Sequence, residues 1–379
     1  MSCVILKPGK EKSVLRRHPW IFSGAIASLS SFEDGDILPV YSHDKQLLAH
    51  AYFHTKNSIA GRILSFGKED PLEAVQRNIK EALALRKNLP SGKRLINAEG
   101  DALPGLIVDE YPGVLVMQIT TCGMEKLKPL ILKTLIKELS PLSIYEKSHS
   151  GARRQEGLSD AKGVLYGDLI PEVTLYENEI PYIVSIPDGQ KTGFFLDQKE
   201  MRKKISEISL GKKVLNCFAY SGGFSIAALK GGALHVDSVD ISLDACELSR
   251  RNTPDLSKHT IIQKDVFDFL KTSPLDYDIV ILDPPAFAKK RSDIDAACAG
   301  YKEINRTVFQ KIKSGSLLLT SSCSSYITPD LFQNLIFQAA LEAGRFVRIV
   351  GRHIQAYDHP ISLNHPEGDY LKSLLLYCL

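Results

Sequence analysis

The stretch Val214-Leu-Asn-Cys-Phe-Ala-Tyr-Ser-Gly-Gly-Phe224 predicts a buried strand, a tight turn and the start of a helix. From Lys213 onward, apolar runs of strand length alternate with helical patterns. The predicted strands cover residues 214–218, 235–241, 260–263, 277–282, 317–320, 346–350 and 371–377. Continuous apolar strands that alternate with helices are typical of a parallel sheet with helices on both faces. This part of the chain is therefore predicted to be a Rossmann-like α/β domain.

The residues before this domain follow other patterns. Short strands between turn residues predict a small β-barrel at the N-terminus. The next segment mixes strands with two predicted helices, 71–88 and 125–139, which is an α+β pattern. The predicted domains are residues 1–70 (the barrel), 71–186 (the central α+β domain) and 187–379 (the α/β domain).

Composition limits the class of protein. Of the 379 residues, 44% are hydrophobic and 24% charged, as in globular proteins. No apolar run approaches the ~18 residues that span a bilayer. The N-terminus lacks a signal-peptide pattern, so we expect a cytoplasmic protein without membrane contact. The seven cysteines lie far apart, which favours reduced thiols and gives no support to a metal site.

The net charge of +3 says little about partners, but basic residues form three clusters. They lie within residues 1–30, 147–154 and 289–291. Such clusters are typical of surfaces that bind nucleic-acid phosphates, and equally of ordinary solvated lysines. Both interpretations stay open from the sequence.

Ligands of a doubly wound sheet bind beyond the carboxyl ends of its strands. Gly222 and Gly223 follow the first strand, where glycines let a backbone approach a ligand, although a plain tight turn uses them too. Asp240 follows the second strand and could bind the ribose of a nicotinamide cofactor or of S-adenosylmethionine (SAM). Asp265 follows the third and could bind an adenine amine or cap the helix at Val266. The G-x-G-x-x-G spacing of dinucleotide enzymes is missing.

The fourth strand ends in Asp283-Pro-Pro-Ala-Phe287. Two prolines fix φ and hold this turn in one shape. The turn is therefore predicted to aim the Asp283 carboxylate into the cleft, beside an aromatic ring that can stack on a base.

The fifth strand is followed by Thr320-Ser-Ser-Cys-Ser-Ser325. An arbitrary cysteine is more often an inert buried residue than a nucleophile. Cys323, however, follows a central strand in the same predicted cleft as Asp283, and hydroxyl side chains surround it. Its position predicts a nucleophile.

Methylation at carbon 5 of a pyrimidine is the chemistry that needs both groups. This carbon is too weak a nucleophile to attack a sulfonium methyl group unaided. A thiolate that adds at carbon 6 pushes electron density onto carbon 5, which then attacks the methyl group. An acid near the ring nitrogen and exocyclic amine stabilises the adduct and favours cytosine.

Over nearly its whole length the chain resembles the RlmI-like cytosine-C5 methyltransferases of large-subunit ribosomal RNA. Residues 6–13 and 17–25 resemble that family's PUA domain, an RNA-binding barrel. Residues 99–109 resemble its central α+β domain, and residues 190–202 its entry into the catalytic domain. The remaining matches, to the cofactor loop, the base-contacting acid, the nucleophile and the C-terminal end, are residues 215–224, 283–287, 322–324, 358–360 and 366–372.

The resemblance implies a class I methyltransferase domain that uses SAM to methylate ribosomal RNA, with Cys323 and Asp283 as catalytic residues. It also implies that Phe195, Gln198 and Arg202 lie near SAM or order its pocket. The cofactor-binding residues predicted in all are Phe195, Gln198, Arg202, Asn216, Phe218, Tyr220, Ser221, Gly222, Gly223, Asp240, Ile241, Ser242, Asp265, Val266 and Asp283. The residues predicted to contact RNA are Lys10, Arg16, Arg17, Arg153, Pro284 and Phe287.

Three alternatives remain from the sequence. The same fold could methylate a purine or an exocyclic amine, with Asp283 gripping the amine and Cys323 inert. The chain could instead be a non-catalytic assembly factor that binds ribosomal RNA without SAM. A nicotinamide dehydrogenase is the least favoured, because the glycine pattern is missing. A homodimer is one of the oligomeric states left open.

Overall fold

The computed structural model describes residues 2–379, so that Met1, where the predicted barrel begins, lies outside the described residues. The chain divides into two compact units. The first contains the chain up to Leu175 together with Val184–Leu196 and Tyr357–Gly368. The second contains Tyr176–Ile183, Asp197–Ala356 and Asp369–Leu379. Within residues 2–379, no helix is both long and apolar enough to cross a membrane.

The first unit begins with a six-stranded sheet in the order β2-β6-β5-β4-β1-β3. Its strands are β1 (Val4–Leu6), β2 (Trp20–Phe22), β3 (Ile26–Leu29), β4 (Ile37–Tyr41), β5 (Leu47–Phe53) and β6 (Ile59–Phe66), with helix α1 (Glu11–Leu15) after β1. In β4, buried and half-buried residues alternate, as expected for a strand with one face on a core. Val14 of α1 packs into the same core.

A five-stranded sheet in the order β11-β10-β9-β8-β7 follows in the first unit. Its elements are α2 (Pro71–Leu85), β7 (Lys93–Asn97), β8 (Leu106–Tyr111), β9 (Val114–Ile119), α3 (Cys122–Leu139), β10 (Ser143–Ser148), α4 (Gly151–Gln155) and β11 (Ala161–Gly167). Asp70 caps α2 by accepting from two backbone amides, and the proline at the first position suits a helix start. The chain then forms a hairpin of β12 (Glu172–Glu177) and β13 (Ile180–Ser185).

The second unit is built on a seven-stranded sheet in the order β16-β15-β14-β17-β18-β20-β19. Its strands are β14 (Lys213–Cys217), β15 (His235–Asp240), β16 (His259–Gln263), β17 (Ile279–Leu282), β18 (Leu317–Ser322), β19 (Val347–His353) and β20 (Lys372–Cys378). Its helices are α5 (Lys199–Ile208), α6 (Gly223–Lys230), α7 (Leu243–Asn252), α8 (Val266–Thr272), α9 (Ile294–Lys311) and α10 (Pro329–Glu342). The predicted Rossmann-like α/β architecture is confirmed.

Helices cover both faces of this sheet. Val214 packs in a core with residues of α5 and α6, whereas the next residue, Leu215, packs in a core with residues of α8, α9 and α10. Because successive side chains of a strand point to opposite faces, these two cores lie on opposite sides. Strand β14 stands between β15 and β17, so the strand order extends from β14 to β15 and β16 on one side and to β17 and β18 on the other. Ligands of such sheets bind at this switch point, beyond the carboxyl ends of the strands.

The last strand, β20, departs from the expected parallel sheet. Strands β14 to β18 are parallel, but β20 runs antiparallel to both β18 and β19. As a result, the first residue of β20, Lys372, lies opposite Ser322, the last residue of β18. The local apolar pattern of a strand does not encode its direction, so the sequence alone could not predict this neighbour.

Candidate active site

The loop after β14 has an unusual backbone. Phe218 and Tyr220 have φ values of 58° and 47°, and Gly222 has a φ of 80°. Non-glycine residues rarely adopt positive φ, and such strain persists only where the surroundings fix it. The backbone amide of Tyr220 donates to Asp240 Oδ2 (2.8 Å), and Asn252 Nδ2 donates to the carbonyl of Ser221 (3.2 Å). The loop is therefore held from two neighbouring elements.

Gly222 is required by the fold of this loop. A Cβ atom at this position would lie 2.5 Å from Ser249 Oγ of α7, and the positive φ would strain any side chain. The sequence left open whether the glycines serve a tight turn or a close approach to a ligand. The structure shows the tight turn, and the approach to a ligand stays a prediction. The turn also begins α6 at Gly223, which directs backbone amides at the start of this helix towards the end of the sheet.

Asp240 stands at the carboxyl end of β15 with both carboxylate oxygens oriented. Oδ2 accepts from the Tyr220 amide and Oδ1 accepts from the Ser242 amide (2.9 Å). Each oxygen retains a further lone pair, so the carboxylate can also accept hydrogen bonds from ribose hydroxyls. Ser242 itself caps α7 by accepting from the Ala245 amide (3.2 Å), while Ile241 is exposed.

Asp265 has a structural role at the end of β16. Its Oδ1 accepts from the backbone amide of Asp268 at 3.1 Å, so the side chain caps α8. The following residue, Val266, is buried in the core of the second unit. The capping interpretation is therefore observed, and contact with an adenine amine stays a prediction.

Among the buried polar atoms that lack a hydrogen-bond partner within the part of the chain that the structure describes, three bear on the cofactor. They are Asn216 Oδ1, Ser221 Oγ and Gln198 Oε1. Asn216 is fixed by its amide nitrogen, which donates to Ser225 Oγ (2.8 Å), so its oxygen keeps one orientation. A buried polar atom without a partner costs free energy unless a ligand or water completes it. These atoms and the Asp240 carboxylate form a donor and acceptor set that fits a polar nucleoside cofactor.

The two predicted catalytic residues lie at the ends of neighbouring parallel strands. Leu282 of β17 pairs with Thr320 of β18, so the residues that follow both strands meet at one edge. Cys323 Sγ donates a hydrogen bond to the carbonyl oxygen of Pro284 at 3.8 Å. Asp283 Oδ1 accepts from Gln198 Nε2 at 3.0 Å. Cys323 thus contacts the turn that begins at Asp283, and Gln198 contacts the carboxylate of that turn.

Ser324, Tyr301 and Lys372 hold the loop that carries Cys323, and the sequence predicted no role at the site for the last two. Ser324 Oγ accepts from the backbone amide of Ala288 (3.2 Å) and lies 3.1 Å from the hydroxyl of Tyr301. Lys372 Nζ donates to the carbonyl oxygen of Ser324 at 2.7 Å. Burial lowers the pKa of the Lys372 ammonium to about 8, although the charges of Asp369 and Cys323 act in the opposite direction.

The aromatic ring of the Asp283-Pro-Pro turn is partly enclosed. Phe287 is half-buried, and its ring centroid lies 4.6 Å from that of Tyr301. Pro284 is buried. The Phe287 ring also lies 6.1 Å from that of Phe267 and packs against the core of the second unit, so its position is fixed, and its stacking on a base stays a prediction.

Arg202 and Phe195, which the resemblance implies lie near SAM or order its pocket, have other contacts. The buried guanidinium of Arg202 donates to both carboxylate oxygens of Glu177, at 2.7 Å and 2.6 Å. This pair joins α5 to Glu177, the last residue of β12, so Arg202 can order the pocket without contacting SAM. Phe195 belongs to the first unit, where the ammonium of Lys191 lies 4.4 Å from its ring centroid.

Four of the six residues predicted to contact RNA lie in the first unit, and they separate into two groups. Lys10, Arg16 and Arg17 are exposed on the first unit, as phosphate contacts must be. The prediction for Arg153 is wrong, because its side chain is buried and turned inward. Its guanidinium donates to the carboxylate of Glu125 (2.8 Å) and to the carbonyl oxygens of Ile119 and Ser159.

One group of side chains in the described residues has atoms close enough to hold a metal ion: His54, Cys122 and Glu156, whose candidate ligand atoms lie within 4.8 Å of one another. Their existing contacts argue for a structural role. The Glu156 carboxylate accepts from Arg62 at 2.8 Å, and the Cys122 thiol donates to the Glu156 carbonyl. Burial raises the pKa of Cys122 to about 11, which disfavours the thiolate that a metal would need.

Sequence comparisons extend over both units. A PUA-like domain profile matches residues 4–66, and a profile described as S-adenosylmethionine-dependent methyltransferase matches residues 126–360. Ribosomal RNA large subunit methyltransferase I of Aeromonas salmonicida is 41% identical over 390 residues, which cover 98% of each chain. The protein of the same name from Pseudoalteromonas atlantica is 41% identical over 389 residues, 99% of this chain and 98% of its own.

Solved structures agree with these matches. A candidate SAM-dependent methyltransferase from Streptococcus mutans has a TM-score of 0.86 and 25% identity, with 99% of this chain and 100% of that chain covered. Another methyltransferase structure, complexed with SAH, also has a TM-score of 0.86, with 26% identity and the same coverage.

Proposed function

Because the chain belongs to the family of SAM-dependent methyltransferases whose curated members are named ribosomal RNA large subunit methyltransferase I, we propose that it methylates carbon 5 of a cytosine in large-subunit ribosomal RNA through a covalent adduct of Cys323. The observation that carries this proposal is the meeting of Cys323 with the Asp283-Pro284 turn, where Sγ lies 3.8 Å from the Pro284 carbonyl oxygen. A nucleophile and an acid at one edge of the sheet are what this chemistry needs.

SAM supplies an electrophilic methyl group. The strained loop of residues 218–223 would hold it, with the Asp240 carboxylate on its ribose. The buried Asn216 Oδ1 and Ser221 Oγ would gain the hydrogen bonds that they lack among the described residues. This donor and acceptor set supports the assignment of the cofactor to the crevice beyond β14 and β15.

The reaction assigns a separate task to each catalytic residue. The Cys323 thiolate forms a bond to carbon 6 of the cytosine, and the electron pair of the 5,6 double bond moves onto carbon 5 and the ring. Asp283, oriented by Gln198, lies against the ring nitrogen and exocyclic amine and stabilises the adduct. Carbon 5 then takes the methyl group, and the electron pair of the broken bond to the sulfonium sulfur stays on that sulfur, which leaves as a neutral thioether. Carbon 5 next gives its proton to water, the electron pair of that bond re-forms the 5,6 double bond, and the bond between Cys323 sulfur and carbon 6 breaks so that the thiolate leaves.

The barrel of the first unit supports the choice of RNA as substrate. Its match to the PUA-like domain coincides with the exposed residues Lys10, Arg16 and Arg17, which can neutralise backbone phosphates. Such contacts position a nucleic acid without reading its sequence. An enzyme that modifies ribosomal RNA would act in the cytoplasm, where the ribosome lies.

The proposal is tested with RNA that contains 5-fluorocytidine. Fluorine at carbon 5 cannot leave as a proton, so the methylated adduct cannot release the enzyme. Wild-type protein with SAM should form a complex with this RNA that survives denaturing electrophoresis. Cys323→Ala should form no complex and no 5-methylcytidine in ribosomal RNA. Cys298→Ala, which removes another half-buried thiol of the second unit, is the matched control and should behave as wild type.

Other outcomes would favour the alternatives. Methyl transfer retained by Cys323→Ala, with the methyl group on a purine or an exocyclic amine in nucleoside mass spectrometry, would replace the covalent mechanism. Binding of ribosomal RNA without detectable binding of SAM in calorimetry would instead favour an assembly factor.

A further inference from the structure

Lys372 is placed at the nucleophile by the antiparallel strand β20. It lies opposite Ser322 in the pairing of β18 with β20, and its Nζ donates to the carbonyl oxygen of Ser324 at 2.7 Å. The two partners are the residues on either side of Cys323. The ammonium group is therefore fixed beside the loop that carries the thiol.

The burial of this side chain calls for a compensating negative charge. Only 5% of Lys372 is exposed, and its Nζ is bound to a neutral carbonyl oxygen. A buried ammonium is costly unless an anion faces it. Two acidic groups interact favourably with its charge, Asp369 and Cys323. Of these, Cys323 lies between Ser322, which pairs with Lys372 in the sheet, and Ser324, whose carbonyl oxygen accepts from the Lys372 side chain.

We propose that Lys372 is the positioning residue that holds Cys323 as a thiolate, by placing a buried ammonium against the loop of residues 322–324. The inference rests on the proposed role of Cys323 as nucleophile, and it adds the group that makes this sulfur reactive. Free thiols are mostly protonated at neutral pH, and an adjacent cation is a common means of lowering their pKa.

The charges balance through the reaction. The Cys323 proton leaves to solvent, and the thiolate faces the Lys372 ammonium. When sulfur bonds to carbon 6, the negative charge moves from sulfur onto the cytosine ring. When that bond breaks, the pair of electrons returns to sulfur, and the ammonium again stabilises the departing thiolate. Lys372 therefore favours both the attacking and the leaving form of the same atom without exchanging a proton.

Three other charged or titratable groups lie around the pair. Asp283, on the turn that Cys323 contacts, opposes a thiolate when it is ionised, so a cation is needed to offset it. Tyr301 interacts with Cys323, and burial raises the pKa of its hydroxyl, so it stays neutral at physiological pH. Asp369 favours the ammonium form of Lys372. Because burial lowers the pKa of Lys372 to about 8, the ammonium and with it the support for the thiolate are lost as the pH rises through that value.

The test measures the reactivity of Cys323 in the full-length protein alone, without SAM or RNA. The rate of alkylation by iodoacetamide is followed against pH, with the Cys323 peptide quantified by mass spectrometry. In Lys372→Met the apparent pKa of Cys323 should rise by about one unit or more. Lys372→Arg, which keeps the charge, should retain most of the wild-type profile.

Two controls separate an electrostatic role from a structural one. Lys271→Met removes a charge from an exposed position of the same unit and should leave the profile of Cys323 unchanged. The Cys298 peptide provides an internal reference in every sample. An identical apparent pKa for Cys323 in wild type and in a folded Lys372→Met protein would overturn the proposal.

A reciprocal measurement does not depend on the folding of that variant. In Cys323→Ser the Lys372 amine loses its anionic partner, so its pKa should fall, as followed by NMR of the ¹³C-dimethylated lysine. An unchanged Lys372 titration would likewise refute the pairing. Failure of the covalent mechanism is distinguishable, because methyl transfer by Cys323→Ala would refute that mechanism and leave the alkylation profile as evidence on Lys372.

Discussion

Gln198 Nε2 donates a 3.0 Å hydrogen bond to Asp283 Oδ1, which ties the residue before α5 to the turn after β17. Gln198 is 2% exposed, so this bond forms away from bulk water. It fixes one oxygen of a carboxylate that the proposed mechanism places against the cytosine ring. The amide oxygen of Gln198 remains without a partner within residues 2–379.

Gln198→Ala is expected to lower kcat for methyl transfer about tenfold. The substitution removes a hydrogen bond to a charged group, and such bonds contribute roughly 1.5–3 kcal/mol. The carboxylate of Asp283 would then rotate freely, so more of the loss should appear in kcat than in the affinity for SAM. Steady-state kinetics and calorimetry measure the two effects. Lys203→Ala, at an exposed position of the same helix, should leave kcat unchanged; an equally active Gln198→Ala enzyme would contradict the positioning role.

Glu177→Gln is expected to lower the free energy of unfolding by about 3–5 kcal/mol, because it removes the negative charge that faces the buried guanidinium of Arg202 in this pair. Both side chains are nearly inaccessible, at 3% and 4% exposure. Urea denaturation followed by circular dichroism measures the change. The double variant Glu177→Leu, Arg202→Met should recover much of the loss, since both buried charges of the pair are removed together.

A matched control is the exposed pair of Arg250 with Glu247, 2.8 Å apart on α7. Arg250→Ala should cost about 1 kcal/mol or less, because water screens such pairs. If Arg250→Ala and Glu177→Gln lost similar free energies of unfolding, burial would not be the reason for the contribution of the Arg202–Glu177 pair.

The same pattern in the sequence predicts both the α/β sheet and the proximity of Asp283 to Cys323. Apolar runs mark buried strands, and parallel strands end at a common edge, so Asp283 and Cys323 meet although 40 positions separate them in the chain. The structure agrees, with Cys323 at the Pro284 carbonyl.

The residues that the sequence missed depend on direction and orientation. Lys372 reaches the Cys323 loop only because β20 is antiparallel, and a short apolar pattern is identical in both directions. Arg153 belongs to a basic cluster in the sequence, yet its guanidinium turns inward to Glu125, 28 positions earlier. Charge clustering along a chain does not reveal such a partner.

The stability of the second unit should fall in acid because of His259. Burial lowers the pKa of this imidazole to about 4, and hydroxyl oxygens of Ser238 and Thr253 lie 2.6 Å and 2.7 Å from its ring nitrogens. The unfolded chain takes up a proton near the ordinary value of 6.5, before the folded chain does. Stability is therefore complete above pH 6.5 and is lost as the pH falls towards 4.

We expect wild type to lose about 2 kcal/mol more than His259→Gln between pH 7 and pH 5, measured by urea denaturation at each pH. Glutamine can keep a hydrogen bond and does not titrate. His43→Gln, at an exposed position, should follow the wild-type dependence. Parallel curves for wild type and His259→Gln would exclude the buried imidazole as the source.

The exposed basic residues of the barrel should govern the salt dependence of RNA binding. Replacing Lys10, Arg16 and Arg17 by glutamine should weaken binding to ribosomal RNA fragments. It should also reduce the slope of log Kd against log salt by about 2 to 3, since each lost phosphate contact removes about 0.7 to 0.9. Fluorescence anisotropy at several salt concentrations measures both quantities. The matched control replaces Lys45, Lys56 and Lys68, which are exposed residues of the same barrel region, with the same loss of charge. Equal slopes for the two triple variants would mean that net charge, and not this surface, attracts the RNA.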